Sequence, residues 1–172
     1  NVAAATTAAL ELNVDGGAGN DTIDFLVDLA GATATTLGDV LTGGDGVDTI
    51  SSTPAILNAL TVAKTTGVTG FETLNATTVL NASVTMANVQ AGLSEFSLTN
   101  GYNAGTIVGP AGSLTVSSKL AAAGGLTVTD TGTATTDILT ITNTAATSID
   151  TTANQAIVVG GYETVNIVTD SG

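Results

Sequence analysis

The chain has 172 residues, of which 15 are acidic and only Lys64 and Lys119 are basic, for a net charge of −13 with no histidine and no cysteine. That balance excludes nucleic acid as a partner, because phosphate contacts need clustered Lys and Arg, and it disfavours an anionic membrane face. It also removes disulfides, the usual zinc ligands, and the common base that activates a serine nucleophile.

Hydrophobic residues make up 43 %, yet aromatics only 3 % and charged residues 10 %. The apolar mass is therefore Ala, Val, Leu and Ile, with Thr the commonest residue of all. β-Branched residues between glycines favour β-structure, and a narrow solenoid accepts stacked small aliphatic side chains where an enzyme core would use more aromatics. No apolar run reaches the roughly 18 residues of a membrane span. The chain opens at Asn1 rather than at a methionine, as a processed or excised piece would.

Seven of the eleven aspartates precede residue 50, giving an acidic head over 12–52. Within it two nonapeptides stand out, Gly16-Gly17-Ala18-Gly19-Asn20-Asp21-Thr22-Ile23-Asp24 and Gly43-Gly44-Asp45-Gly46-Val47-Asp48-Thr49-Ile50-Ser51. Both fit G-G-x-G-x-D-x-U-x, with U a large apolar residue, the pattern of calcium-binding β-roll repeats. The glycines permit positive φ and tight turns that expose carbonyl oxygens. The aspartate adds a carboxylate, completing the all-oxygen donor set that hard Ca²⁺ prefers. Asp21 and Asp48 are then the expected carboxylate ligands, with carbonyls of Gly17, Gly19, Gly44 and Gly46. Asp24, Asp39 and Asp45 are expected secondary ligands.

The nonapeptide phase runs on between the two motifs. Its apolar position falls at Val14, Ile23, Ala32, Leu41 and Ile50, and its aspartate position at Asp21, Asp39 and Asp48. Segment 25–42 thus spans two repeat lengths with the glycines of the motif positions lost. Two coil lengths are compatible with this phase. An 18-residue coil puts Asp21 and Asp39 one turn apart, with Asp48 opposite. A 27-residue coil stacks the two glycine loops on each other, and is preferred because only those loops carry all three glycines.

These motifs resemble the repeats-in-toxin (RTX) calcium-binding family, and within it bacterial surface-layer (S-layer) proteins. The RTX motif itself covers residues 16–51. The surface-layer likeness rests on the long Thr/Ala/Gly/Val-rich tract and on phrases such as Leu37-Gly38-Asp39-Val40-Leu41-Thr42-Gly43-Gly44 and Gly70-Phe71-Glu72-Thr73-Leu74. The resemblance implies one-step secretion, a cell-surface location and self-association into a lattice.

Pro54 is expected to end the strand after the second nonapeptide. Beyond it, Leu114-Thr115-Val116-Ser117, Leu126-Thr127-Val128-Thr129 and Leu139-Thr140-Ile141-Thr142 alternate apolar and hydroxyl residues, the period of a strand with one buried face. A second echo pairs Gly70-Phe71-Glu72-Thr73-Leu74-Asn75 with Gly161-Tyr162-Glu163-Thr164-Val165-Asn166. Helical turns fit only at 86–95 and 119–123. Asn-Gly occurs once, at Asn100-Gly101, so hairpin signals are scarce. The expected fold is all-β, a right-handed parallel β-helix or β-roll solenoid, with an antiparallel β-sandwich as the alternative. Residues 1–52 would form calcium-binding RTX-like coils and 53–172 a Thr/Val-rich solenoid continuing the same domain.

Glu72 and Glu163, at matching positions, are candidates for a glycosidase-like pair, against the simpler reading of a repeated corner residue. Five aromatics in the whole chain are too few for a sugar-stacking cleft. The expectation is a non-enzymatic, calcium-stabilised structural segment of a secreted, extracellular protein, with no nucleic-acid partner and no membrane insertion. Contact with cell-surface polysaccharide would run through parts outside this chain. The alternatives are the stalk of a large RTX adhesin, or the calcium-roll tail of a secreted hydrolase.

Overall fold

The computed structural model describes residues 2–4, 11–31, 38–118, 124–143 and 156–169. Along the chain run β1 (Val2–Ala4), β2 (Asn13–Asp15), β3 (Thr22–Phe25), β4 (Val40–Thr42) and β5 (Thr49–Ser52). A short helix α1 (Pro54–Ala59) precedes β6 (Val68–Thr69), β7 (Thr73–Ala76), β8 (Ser83–Thr85), β9 (Glu95–Leu98) and β10 (Gly105–Val108). The last five are β11 (Leu114–Ser118), β12 (Leu126–Thr129), β13 (Ile138–Asn143), β14 (Ile157–Gly160) and β15 (Thr164–Thr169).

Odd-numbered strands stack into one eight-stranded sheet in the order β1-β3-β5-β7-β9-β11-β13-β15. Even-numbered strands make the other wall, β2-β4-β6 and then β8-β10-β12-β14. Every one of these ladders is parallel. Such an alternation is a parallel β-solenoid, and it removes the antiparallel sandwich. The three Leu-Thr phrases are indeed strands, but successive ones lie on opposite walls: β11 pairs with β13, while β12 pairs with β10 and β14.

Register confirms the longer coil. Val14 pairs with Leu41 on one wall and Ile23 with Ile50 on the other, each 27 residues on, as are the aligned Asp21 and Asp48. Later coils vary in length: Phe96 to Val116 is one coil of 20 residues, and Val128 to Val159 one of 31. Strands keep their alignment while the corners take up the difference.

The core is a set of columns along the axis. Ile23, Ile50, Leu74, Phe96, Val116 and Ile141 occupy one aligned column, none more than 1 % exposed. From the facing wall, Leu41 and Val68, then Val84, Ile107 and Val128, close the interior. The outward positions of the long sheet are Thr-rich, with Thr22, Thr49, Thr73, Glu95, Thr115 and Thr140 in one row.

Helix is scarce, and differs from expectation. Window 86–95 contains a single 3₁₀ turn, Met86–Asn88, and 119–123 lies outside the described residues. Helix α1 was not foreseen. Pro54 does follow the end of β5, but it then opens a helix, with Thr53 as N-cap accepting from the Ile56 N–H at 3.4 Å. Thr-Pro is a helix-start signal, and reading Pro54 only as a strand terminator missed it.

Candidate metal centre

The glycine loops are the corner that joins the two walls. Loop 16–21 links β2 to β3, loop 43–48 links β4 to β5, and the shorter corner 70–72 links β6 to β7. They lie on one another in that order. The Asp45 N–H donates to the Gly17 carbonyl at 2.8 Å, and the Gly19 N–H donates to the Asp45 carbonyl at 2.8 Å. The Val47 N–H reaches the Asn20 side-chain oxygen at 3.1 Å.

This stacking gives the glycines a second reason to be glycine. Gly44 has φ +110°, and a Cβ there would lie 1.9 Å from the Gly17 carbonyl oxygen. Gly17 has φ +89°, yet nothing lies within 4 Å of its missing Cβ. One coil therefore rests on the bare Cα of the next, and the Gly17 carbonyl is already engaged by a backbone donor.

Carboxylates climb the same corner. Asp21, Asp48 and Glu72 occupy aligned positions just before Thr22, Thr49 and Thr73. The first two offer their backbone N–H to the acid of the next coil: Asp21 N–H to Asp48 Oδ1 at 2.7 Å, and Asp48 N–H to Glu72 Oε2 at 2.8 Å. Asp48 is wholly buried, and its Oδ2 has no hydrogen-bond partner. A buried carboxylate oxygen without a donor costs well over the roughly 1–3 kcal/mol of a neutral unsatisfied group. Asp45 stands exposed at the rim of the same loop, and Asp15 accepts from the Gly17 N–H at 3.1 Å. Lys64 is paired with Asp28 elsewhere, and Lys119 lies outside the described residues.

The other two expected ligands are not brought here. Asp39 precedes β4, at the opposite end of that strand from Gly43, and is 7 % exposed. Its Oδ1 accepts from the Leu12 N–H at 2.8 Å and its Oδ2 from the Ala30 N–H at 2.6 Å. Both oxygens are thus occupied by backbone donors. Asp24 lies on the outward face of β3 and accepts from the Ser51 hydroxyl at 3.1 Å. Among the described residues no three acidic side chains converge as a ready cage. At the glycine corner Asp48 Oδ2 is the oxygen that lacks a partner, and Asp21 and Asp45 stand on the same stacked loops, all of them the oxygen donors a hard cation takes.

Glu72 and Glu163 do not form a catalytic pair. They sit at equivalent corners four strands apart in the long sheet, about 19 Å at roughly 4.8 Å per strand. Glycosidase carboxylates lie within about 10 Å. Each instead accepts a backbone N–H from the coil before it, Asp48 to Glu72 and Asp137 to Glu163. A shallow recess of about 370 Å³ on the long sheet is lined by Ser94, Glu95, Ser113, Thr115 and Thr140 among others. Its ionisable group, Glu95, accepts from the Ser117 hydroxyl at 2.9 Å.

A second acidic corner was not singled out from the sequence. Burial, then the neighbouring Asp130 and Glu163 carboxylates, push the Asp137 carboxyl above its ordinary range. Burial, with Asp130 and Asp137, likewise pushes the Tyr162 phenol up. The Gly-aromatic-Glu-Thr echo marks this corner, and could have found it. No protein-family model, curated protein or solved structure matches this chain.

Proposed function

We propose that this chain is a non-enzymatic structural segment of a secreted, RTX-like cell-surface protein of the surface-layer kind, whose solenoid is folded and stabilised by calcium at the glycine corner. The observation that carries the reading is Asp48 Oδ2, buried without a donor inside a stack of acids on glycine loops. Calcium supplies the missing positive charge and is indifferent to which oxygens donate, so carboxylate, carbonyl and water all serve. Without it, the corner concentrates negative charge in an already polyanionic chain. Folding is then conditional on the ion: low calcium leaves the corner open, and millimolar calcium closes it. The even, hydroxyl-rich outer face of the long sheet suits association by many weak contacts with further copies. The two glutamates most open to a catalytic reading are occupied as backbone acceptors, which supports a non-enzymatic role.

The test is thermal unfolding of the chain with calcium and with excess chelator. At about 100 times its dissociation constant the ion adds about 2.7 kcal/mol per site, a shift of roughly 5–11 °C for a domain of this size. An unchanged melt in chelator sinks the calcium reading. Electron microscopy after calcium addition then distinguishes the settings: ordered arrays support the surface layer, and a persistent monomer favours an adhesin stalk.

A further inference from the structure

The corner between β12 and β13, residues 130–137, repeats the architecture of the glycine corner without its sequence. In both places a long acidic corner ends in an aspartate and is covered by a short Gly-aromatic-Glu corner from the next coil, 70–72 over 43–48 and 161–163 over 130–137. The hydrogen bonds match one for one. Asp48 N–H donates to Glu72 Oε2 at 2.8 Å, and Asp137 N–H donates to Glu163 Oε2 at 2.9 Å. The Asp48 carbonyl receives the N–H groups of Glu72 and Thr73 at 3.2 and 3.0 Å, and the Asp137 carbonyl those of Glu163 and Thr164 at 3.1 and 3.2 Å. In each, the aspartate is more than nine-tenths buried and its Oδ2 has no partner.

The second corner carries more unpaired oxygen than the first. Both oxygens of Asp130, Oδ2 of Asp137 and the hydroxyl of Tyr162 are buried without a hydrogen-bond partner. They act on one another, Asp130 on Asp137 and both on Tyr162. The ring reaches inward over Gly109, where a Cβ would lie 2.3 Å from the phenol oxygen, so only a glycine there admits the hydroxyl. Its counterpart Phe71 has no hydroxyl and is simply buried in the core.

Native structures leave only a few such atoms per 100 residues, and here four cluster at one corner. All four are oxygens and three belong to carboxylates, so a cation satisfies them together, where one proton or the phenol hydrogen serves a single pair. An oxygen-only set selects a hard cation over a transition metal. We propose that Asp130, Asp137 and the Tyr162 hydroxyl form a second divalent-cation site, of the calcium class, at the same corner of the solenoid as the glycine loops. Two carboxylates and a phenol leave several of the six to eight positions of Ca²⁺ to water and backbone carbonyls. The site stands independently of calcium at the glycine loops. It lies four strands from loop 43–48, about 19 Å away at roughly 4.8 Å per strand.

Terbium, which replaces calcium and emits when a nearby tyrosine is excited, tests it on the whole 172-residue chain. Titration with Tb³⁺ should give tyrosine-sensitised emission that Ca²⁺ competes away. Asp137→Asn should weaken it at least tenfold and Tyr162→Phe should abolish it, while Tyr102→Phe and Asp48→Asn leave it in place. Far-ultraviolet circular dichroism checks that each variant is folded, and Tyr162→Phe, which keeps the ring, serves if Asp137→Asn does not fold. Absent emission, or emission indifferent to Tyr162→Phe, overturns the site. A proton shared between Asp130 and Asp137 in place of a cation would appear as no terbium signal. Loss of glycine-corner binding in Asp48→Asn with the tyrosine signal intact separates the two sites.

Discussion

Asp39 gives the sharpest test of how acids are used in this fold. Its two oxygens hold N–H groups from Leu12 and Ala30, 27 and 9 residues away. Beside them the Val40 N–H donates to Leu12 and the Asp39 N–H to Ala30, at 2.7 and 2.8 Å. The carboxylate is therefore a staple between coils. Asp39→Ala removes two charge-assisted bonds worth about 1.5–3 kcal/mol each. Because Ala30 is exposed and water can replace part of the loss, the lower end applies, about 2–4 kcal/mol in all. For a chain of this length each kcal/mol moves the midpoint by about 2–4 °C, so a fall of roughly 5–15 °C is expected. Asp39→Asn, with one acceptor in place of two, should recover no more than half. Urea unfolding in calcium and again in chelator is the assay. The Asp39→Ala loss should be the same in both, whereas Asp48→Ala should lose more in calcium. A loss at Asp39 that vanishes on chelation would make it a ligand, and the staple would be refuted.

Two further outcomes follow from the stacking. Gly17→Ala should cost only the left-handed backbone term, about 1–2 kcal/mol, since nothing crowds its Cβ. Gly44→Ala must also displace the Gly17 carbonyl and should cost clearly more; equal denaturant midpoints would refute the loop-on-loop register. Ile50→Ala, in the middle of the long column and fully buried, should lose about 2–5 kcal/mol. Val62→Ala, at 62 % exposed, should change the unfolding free energy by less than about 0.5 kcal/mol.

Much of the head could be read from residues alone, because two nonapeptides in phase leave few coil lengths open. Val14 over Leu41 and Ile23 over Ile50 are what a 27-residue repeat requires. The Leu-Thr phrases announced strands for a similar reason, as alternation reports one buried face. Phase could not say which acid meets backbone and which meets a cation. Asp39 holds the aspartate position of the repeat as faithfully as Asp48 does, yet both its oxygens are taken, by the Ala30 N–H and by the Leu12 N–H of the preceding coil. Residues 130–137 carry no repeat signature of their own, and the sequence marks that corner only through the Gly161-Tyr162-Glu163-Thr164 echo in the following coil. Its acids converge only once Tyr162 and Glu163 arrive from the following coil.

Coils of 20 to 31 residues share one strand alignment, so the molecule has a fixed rise and a variable circumference. Eight stacked strands set a length of about 34 Å at roughly 4.8 Å per step, whatever the corners contain. A corner can therefore gain or shed residues, and with them a ligand set, without altering how far the rod extends. Lengthening and functional diversification become separate variables: one is changed by adding coils, the other by editing a corner between two strands that stay in place.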